Sequence, residues 1–336
     1  MKPYLGGLRI IPAVVFIPHT TPAHTTMRTL ICGSLAFDSI MVFQDHFRHH
    51  ILPDKIHMLN VSFLVPEMRR EFGGCAGNIA YNLKLLGGEP IIMATVGDDF
   101  GAYAERLDTY AISREHIRHI AGTYTAQAFI TTDLDDNQIT AFHPGAMNYA
   151  HENDVREVSG VKLGIVSPDG RDGMLRHVRG FHEAGVPSVF DPGQGMPLFS
   201  GEELLECVHK SSYVILNDYE AELLQSRTEE TLITLARHVQ ALIVTRGPEG
   251  SVIFTNGKQI DIPAVRPAVI LDPTGCGDAY RSGILYGITH GLDWETAGQL
   301  ASVMGAIKIE HRGGQNHKPT RDEIAERLKT AFGKTL

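Results

Sequence analysis

The sequence predicts an α/β fold: one large domain built on a mostly parallel sheet flanked by helices, with a small β-sheet beside it. Three observations carry this. Short apolar runs such as PIIMATV, KLGIVS, YVILN and LIVT alternate with segments whose apolar residues recur at helical spacing, the rhythm of successive β-α-β units. That rhythm breaks at residues 124–143, where two alternating runs flank DLDDN and read as a hairpin. At 336 residues, 43% hydrophobic and 21% charged, the chain is long for one core yet short for two independent enzymes.

Residues 1–26 stand apart. Lys2 and Arg9 precede a short apolar run, but Pro12 would break the helical core of a signal peptide. The stretch reads as an extension, either disordered or upstream of a true start at Met27, and the domain is expected over residues 27–336. Its first strand, residues 29–33, runs into a Gly-Ser turn, and Asp38 follows near the strand end, where open α/β sheets gather ligand groups. Residues 44–70 form an excursion in which LNVSFLV alternates like a strand. Together with residues 123–143 it is expected to make a small antiparallel sheet, a lid over a site, with one apolar face also suited to a homodimer contact.

In FGGCAGNIAYNLKLLGG, Gly73 and Gly74 give a flexible entry, Ile79, Leu83 and Leu86 lie at helical spacing, and Gly87 stops the helix. Asn78 then sits in the first turn, where an amide that both donates and accepts suits vicinal hydroxyls. A strand at 90–97 and a helix at 98–111 follow, and beyond the hairpin helices are expected at 171–184, 200–209 and 218–224. The strand-terminal residues are Ser167, Asp191, Asn217 and Arg246. Asn217 and Glu220 form N-x-x-E, a spacing that can hold magnesium through its water shell near a nucleotide. Thr245, Gly247 and Gly250, in TRGPEG, form a loop open to phosphate or ribose. A helix at 293–310 and a Thr320-x-x-Glu323 capping box close the chain.

The densest chemistry lies in LDPTGCGDAYRSG. A glycine-rich segment feeds a helix start, whose unpartnered N–H groups and dipole attract phosphate oxygens. Gly275 and Gly277 allow close backbone approach. Asp278 would repel a phosphate, which makes sense if it takes a proton from an attacking hydroxyl; alone it reads equally as a helix N-cap.

The net charge of −9 argues against a general nucleic-acid or anionic-membrane binder. Cys32, Cys75, Cys207 and Cys276 are widely spread with no C-x-x-C pair, which favours reduced thiols in the cytoplasm. No apolar run approaches the ~20 residues of a membrane span.

GGCAGNIA and DPTGCGDAYRSG, in that order with N-x-x-E and T-x-G-x-x-G between them, resemble the paired signatures of the ribokinase-like sugar and nucleoside kinases. TLICGS, RREFGGCAGN and TAFHPGAM look most like bacterial adenosine or broader nucleoside kinases. The resemblance implies a Rossmann-like domain with a β-sheet lid that transfers the γ-phosphate of ATP to the 5′-hydroxyl of adenosine or a related nucleoside. It would make Asp278 the catalytic base and the N–H groups of Gly275, Cys276 and Gly277 the anion hole. Asp38, Gly74 and Asn78 would hold the ribose, Asn217 and Glu220 would support Mg2+, and Thr245, Gly247 and Gly250 would line the ATP site. Cys276 departs from the usual Ala or Gly, and Pro273 from the commoner Thr, which still leaves room for a monovalent cation such as K+ at Asp272. For the base, strand alternation puts Gln127 and Phe129 on one face, Phe129 to stack and Gln127 to read an edge. A kinase of free sugars or sugar phosphates on the same fold is the second reading, and a non-catalytic nucleotide sensor the third.

Overall fold

A computed structural model describes residues 27–51, 60–135 and 137–336; the expected extension at residues 1–26 lies outside them. Nine strands form the main sheet and four a smaller one. Strand β1 (Arg28–Cys32) pairs in parallel with β4 (Glu89–Val96) on one side and β8 (Val161–Val166) on the other. From β8 the sheet continues through β9 (Ser188–Phe190), β10 (Tyr213–Asn217) and β11 (Ala241–Thr245), all parallel. It ends in the antiparallel strands β12 (Ser251–Thr255) and β13 (Lys258–Ile262), while β5 (Ile117–His119) adds to β4 at the other edge. Because the chain winds outward in both directions from β1, the crevice that such a reversal opens lies at the carboxyl ends of β1 and β8.

Alternation along β1 shows how the strands are covered on both faces. Ile31 joins the cluster under α1 (Cys75–Leu85), α2 (Gly101–Thr109), α7 (Cys276–Thr289), α8 (Trp294–Ile309) and α9 (Arg321–Phe332). Leu30 and Cys32 join the opposite cluster, under α3 (Arg171–Glu183), α4 (Gly201–Lys210), α5 (Asp218–Thr228) and the single turn α6 (Leu232–Leu235). Capping boxes start α4 (Ser200 with Glu203), α5 (Asn217 with Glu220) and α9 (Thr320 with Glu323). Helices α7 and α8 pack closely because a Cβ on Gly283 would come within 2.5 Å of the Ala301 Cα. Among the described residues no helix is long and apolar enough to cross a membrane.

The smaller sheet corrects the expected lid in two respects. Its order is β3 (Glu67–Gly73), β2 (Ala36–Val42), β6 (Ala126–Thr132) and β7 (Gln138–His143), and β2 runs parallel to β6, so the sheet is mixed rather than antiparallel. The segment carrying Asp38 is thus a central lid strand and lies outside the expected 44–70 and 123–143 boundaries. The described part of LNVSFLV, residues 60–65, forms no strand. Its alternation serves side-chain packing instead: Phe63 sits 4.8 Å from the Phe43 ring and 5.0 Å from that of Phe47. The edge position it would have taken belongs to β3.

Candidate active site

The segment ahead of α7 turns into the helix through Gly275, whose φ of 77° is left-handed and favours glycine. A Cβ there would also lie 3.2 Å from the Gly314 Cα. The N–H of Cys276 closes back onto the Pro273 carbonyl at 3.1 Å, so of the three expected anion-hole amides this one already has a partner. Asp278 stands in the first turn of α7, and its carboxylate accepts from the Asn78 amide at 2.9 Å. Gln315 in turn donates to the Asn78 carbonyl at 3.2 Å and to the Tyr103 hydroxyl at 2.7 Å. The first turn of α1 is therefore tied to the first turn of α7. The Asn78 amide nitrogen is thus taken by Asp278 and its oxygen by Gln315, partners its sequence position did not disclose.

Burial pushes the Asp278 carboxyl above the usual range, against the pull of the Arg281 guanidinium and the Asn78 bond. Arg281, one turn on, is buried and forked onto Asp191 at the end of β9, with Nη2 2.6 Å from Oδ1 and Nε on Oδ2. Glu220 lies 4.0 Å from the same guanidinium. A Cβ on Gly277 would come within 2.7 Å of Arg281 Nη1, so that glycine makes room for the ion pair as well as for a ligand.

Asp38 reaches the site from the lid. Its carboxyl is raised to about 6 by burial and by the charges of Asp278, Glu71 and Asp272. The diglycine is explained here. A Cβ on Gly73 would collide with the Asp38 carboxylate, and Gly74, at φ 85°, passes so close to the 34–36 backbone that a Cβ would meet the Ala36 nitrogen at 2.6 Å.

Strand register turns Gln127 and Phe129 away from this face. Asp38 pairs with Ala128, and Ala128 with Phe142, so the Asp38 face of β6 and β7 carries Ala128, Ile130 and Phe142. Gln127 and Phe129 share the opposite face with Phe37, where the Gln127 amide donates to Asp99 at 2.9 Å. The expected base-reading pair is therefore not brought to the site, because the period-2 argument establishes that two residues share a face but not which face it is.

On the far side of α7, Asn217 and Glu220 cap α5 reciprocally: Glu220 oxygens accept from the Asn217 N–H at 2.8 Å and from its side-chain amide at 2.9 Å. Thr245 ends β11, Gly247 (φ 53°) faces open space, and Gly250 (φ 87°) lies against the Ala264 backbone. Asp272 is held by protein groups at both its carboxylate and its backbone carbonyl. Its carboxylate accepts from the Thr274 N–H at 2.9 Å and the Gly313 N–H at 2.8 Å, bonds that hold its carboxyl below the usual range despite burial. Its backbone carbonyl accepts from the Lys308 ammonium at 2.8 Å. Lys308, Gln315 and Tyr103 were not singled out from the sequence. Lys308 did leave a sign, a charge between Ile307 and Ile309 in the apolar last turns of α8.

The family model for pfkB family carbohydrate kinases matches residues 37–321. A nucleoside kinase of Methanocaldococcus jannaschii is 33% identical over 271 residues, which are 80% of this chain and 89% of the relative. The solved nucleoside kinase of Burkholderia thailandensis in complex with inosine is 54% identical, superposes with a TM-score of 0.84, and covers 91% of this chain and 99% of its own. The ADP-inosine complex of that enzyme is 56% identical, with a TM-score of 0.82, over 91% of this chain and 97% of the other.

Proposed function

The chain belongs to the pfkB carbohydrate kinase family, with its ribokinase-like α/β fold, and from this we infer that it is a nucleoside kinase, using ATP to phosphorylate the 5′-hydroxyl of inosine, adenosine or a related nucleoside. The observation that carries the reading is the meeting of two carboxylates from different elements. Asp278 stands at a helix N-terminus suited to phosphate, and Asp38 faces it from the lid, close enough for the Asp278 charge to help raise the Asp38 carboxyl. A base and a hydroxyl-binding acid are then set on either side of one acceptor.

Asp278 accepts the proton of the 5′-hydroxyl as its oxygen bonds to the γ-phosphorus; the bond from that phosphorus to the β,γ-bridging oxygen breaks, and ADP leaves. The N–H groups of Gly275 and Gly277 face the charge that develops on the transferred group, helped by the α7 dipole. Asp38 accepts hydrogen bonds from the ribose hydroxyls, with Gly74 allowing their approach, and Asn78 orients Asp278. Thr245, Gly247 and Gly250 line the ATP side. The base slot is transferred from Phe129 to Phe142, whose ring shares the Asp38 face.

Asn217 and Glu220 fit magnesium through water rather than by direct ligation. Each Glu220 oxygen has one hydrogen bond from Asn217 and keeps a second lone pair for a metal-bound water. Bound there, magnesium would neutralise charge on the ATP phosphates. The apolar side chains exposed on the outer lid face, Met68, Phe129 and Ile139, support a homodimer through the lid. Free thiols at all four cysteines accord with a cytoplasmic protein.

The test is ATP consumption with inosine, adenosine, ribose and fructose as acceptors. Turnover on the nucleosides with little on the free sugars is expected. Efficient use of ribose or fructose would move the protein to the sugar-kinase reading, and no turnover with any acceptor would favour a nucleotide sensor.

A further inference from the structure

A buried cation stands directly beneath the phosphate-accepting turn, and the reaction as derived above does not use it. Lys308 has no exposed surface. Its ammonium donates to the carbonyl oxygen of Asp272 at 2.8 Å and to that of His311 at 3.0 Å. A Cβ built on Gly275 would lie 3.7 Å from its Cε, so the side chain runs under the anion-hole glycine itself. Two segments meet here: residues 272–277, which lead into α7, and residues 311–314, which follow α8. Asp272 joins them through its carboxylate, which takes N–H groups from both, and Lys308 joins them through their carbonyls.

Carbonyl oxygens converging from two loops, beside a carboxylate, are the oxygen-rich surroundings a monovalent cation needs. Here the Lys308 ammonium already sits on both converging carbonyls, those of Asp272 and His311. A further cation would have to displace the Lys308 ammonium, which has no exposed surface, from both carbonyls, at the cost of a buried unpaired charge. The donor set therefore does not fit K+ at Asp272.

We propose that Lys308 is a positioning residue for phosphoryl transfer: its ammonium serves as a built-in monovalent cation that fixes the anion-hole turn, so that the enzyme works without K+. The fixed positive charge and the two carbonyl bonds hold Gly275 and Gly277 in the conformation that presents their N–H groups, before ATP arrives. Acceptor binding, which rests on Asp38 and the lid, is left alone.

This rests on the kinase reading, and the experiment separates the two. Phosphorylation of inosine by the unmodified enzyme is measured with Mg-ATP in buffers whose only monovalent cation is K+, Na+ or tetramethylammonium. Rates within about twofold of one another are expected. Activity that appears only with K+ would overturn the proposal while leaving the kinase reading in place; no turnover in any salt would overturn both. Next, Lys308→Met is expected to lower kcat by about tenfold or more with an unchanged KM for inosine, on the scale of lost transition-state stabilisation. Lys308→Ala, which opens space beneath the turn, is expected to regain activity on addition of ammonium, methylammonium or K+. A kcat within about twofold of the parent in Lys308→Met, or a folded Lys308→Ala that no cation restores, would overturn the role, since a merely structural lysine would not be rescued by an ion in solution.

Discussion

Asp278 and Asp38 are both carboxylates raised by burial, yet they are expected to fail in different ways, and this allows them to be told apart. Asp278→Asn keeps the shape and the contact with Asn78 but cannot accept a proton. It is expected to lose about 10²–10⁴-fold in kcat with nucleotide binding intact, measured by steady-state kinetics and by ADP titration; turnover within a few-fold of the parent would refute the base assignment. Asp38 is proposed to act in binding, and burial together with the neighbouring carboxylates raises its carboxyl to about 6. Only the ionised form accepts from two ribose hydroxyls, so the bound state is lost as pH falls through that value. The KM for inosine is expected to be flat above pH 7 and to climb about tenfold for each pH unit well below 6, as for any single required ionisation. Asp38→Asn should raise KM at every pH and remove that climb. A KM for the parent that stays level from pH 7 to pH 5 would show that the ribose is held elsewhere.

The lid strands make a corresponding claim about faces. Along β6 and β7, residues in register share a face, and this sets Phe142 with Asp38 and sets Phe129 with Phe37 behind the sheet. If the base stacks on the inner face, Phe142→Ala should raise the KM for inosine several-fold and leave that for ATP unchanged, because ring stacking is a local contact worth about 1 kcal/mol. Phe129→Ala should change neither constant. The reverse pattern in the two variants would mean that the lid closes with its other face inward. The α1 and α7 helices illustrate the same dependence of chemistry on elements. Asn78 and Asp278 lie 200 residues apart, and they meet because both helices start at the carboxyl edge of one sheet.

For the molecule as a whole, the lid leaves an apolar outer surface that the main domain does not cover. Met68 is 69% exposed, Ile139 42% and Phe129 41%. Burial of these side chains against a second copy would explain why the face is apolar at all. The parent is expected to sediment as a dimer and Phe129→Asp as a monomer, since a charge at the centre of such a contact is left unpaired. A parent that sediments as a monomer at micromolar concentration would remove the lid contact.

Much of this protein was legible in the amino-acid order. The β-α alternation, the cap residues and the GGCAGN and DPTGCGDAYRSG segments are local patterns, and local patterns follow from periodicity, backbone freedom and helix-end chemistry. Through the family resemblance they carry, they pointed to Asp278, Asp38, Gly74 and Asn78 as the residues of one proposed reaction. What they could not supply was partnership between distant residues. Asn217 and Glu220 are at once a capping box and a candidate metal support, and the spacing serves both. The LNVSFLV run alternates as a strand would, but β3 occupies the edge it needed, and Phe63 packs against Phe43 and Phe47. Gln127 and Phe129 were rightly placed on one face of a strand, and only the pairing of β2 with β6 decided that this face looks away from Asp38. Lys308 is the clearest case. A lysine between two isoleucines announces a cost, because a buried ammonium needs hydrogen-bond partners, and tertiary structure alone shows that they are the carbonyls of Asp272, which leads into α7, and His311, which follows α8.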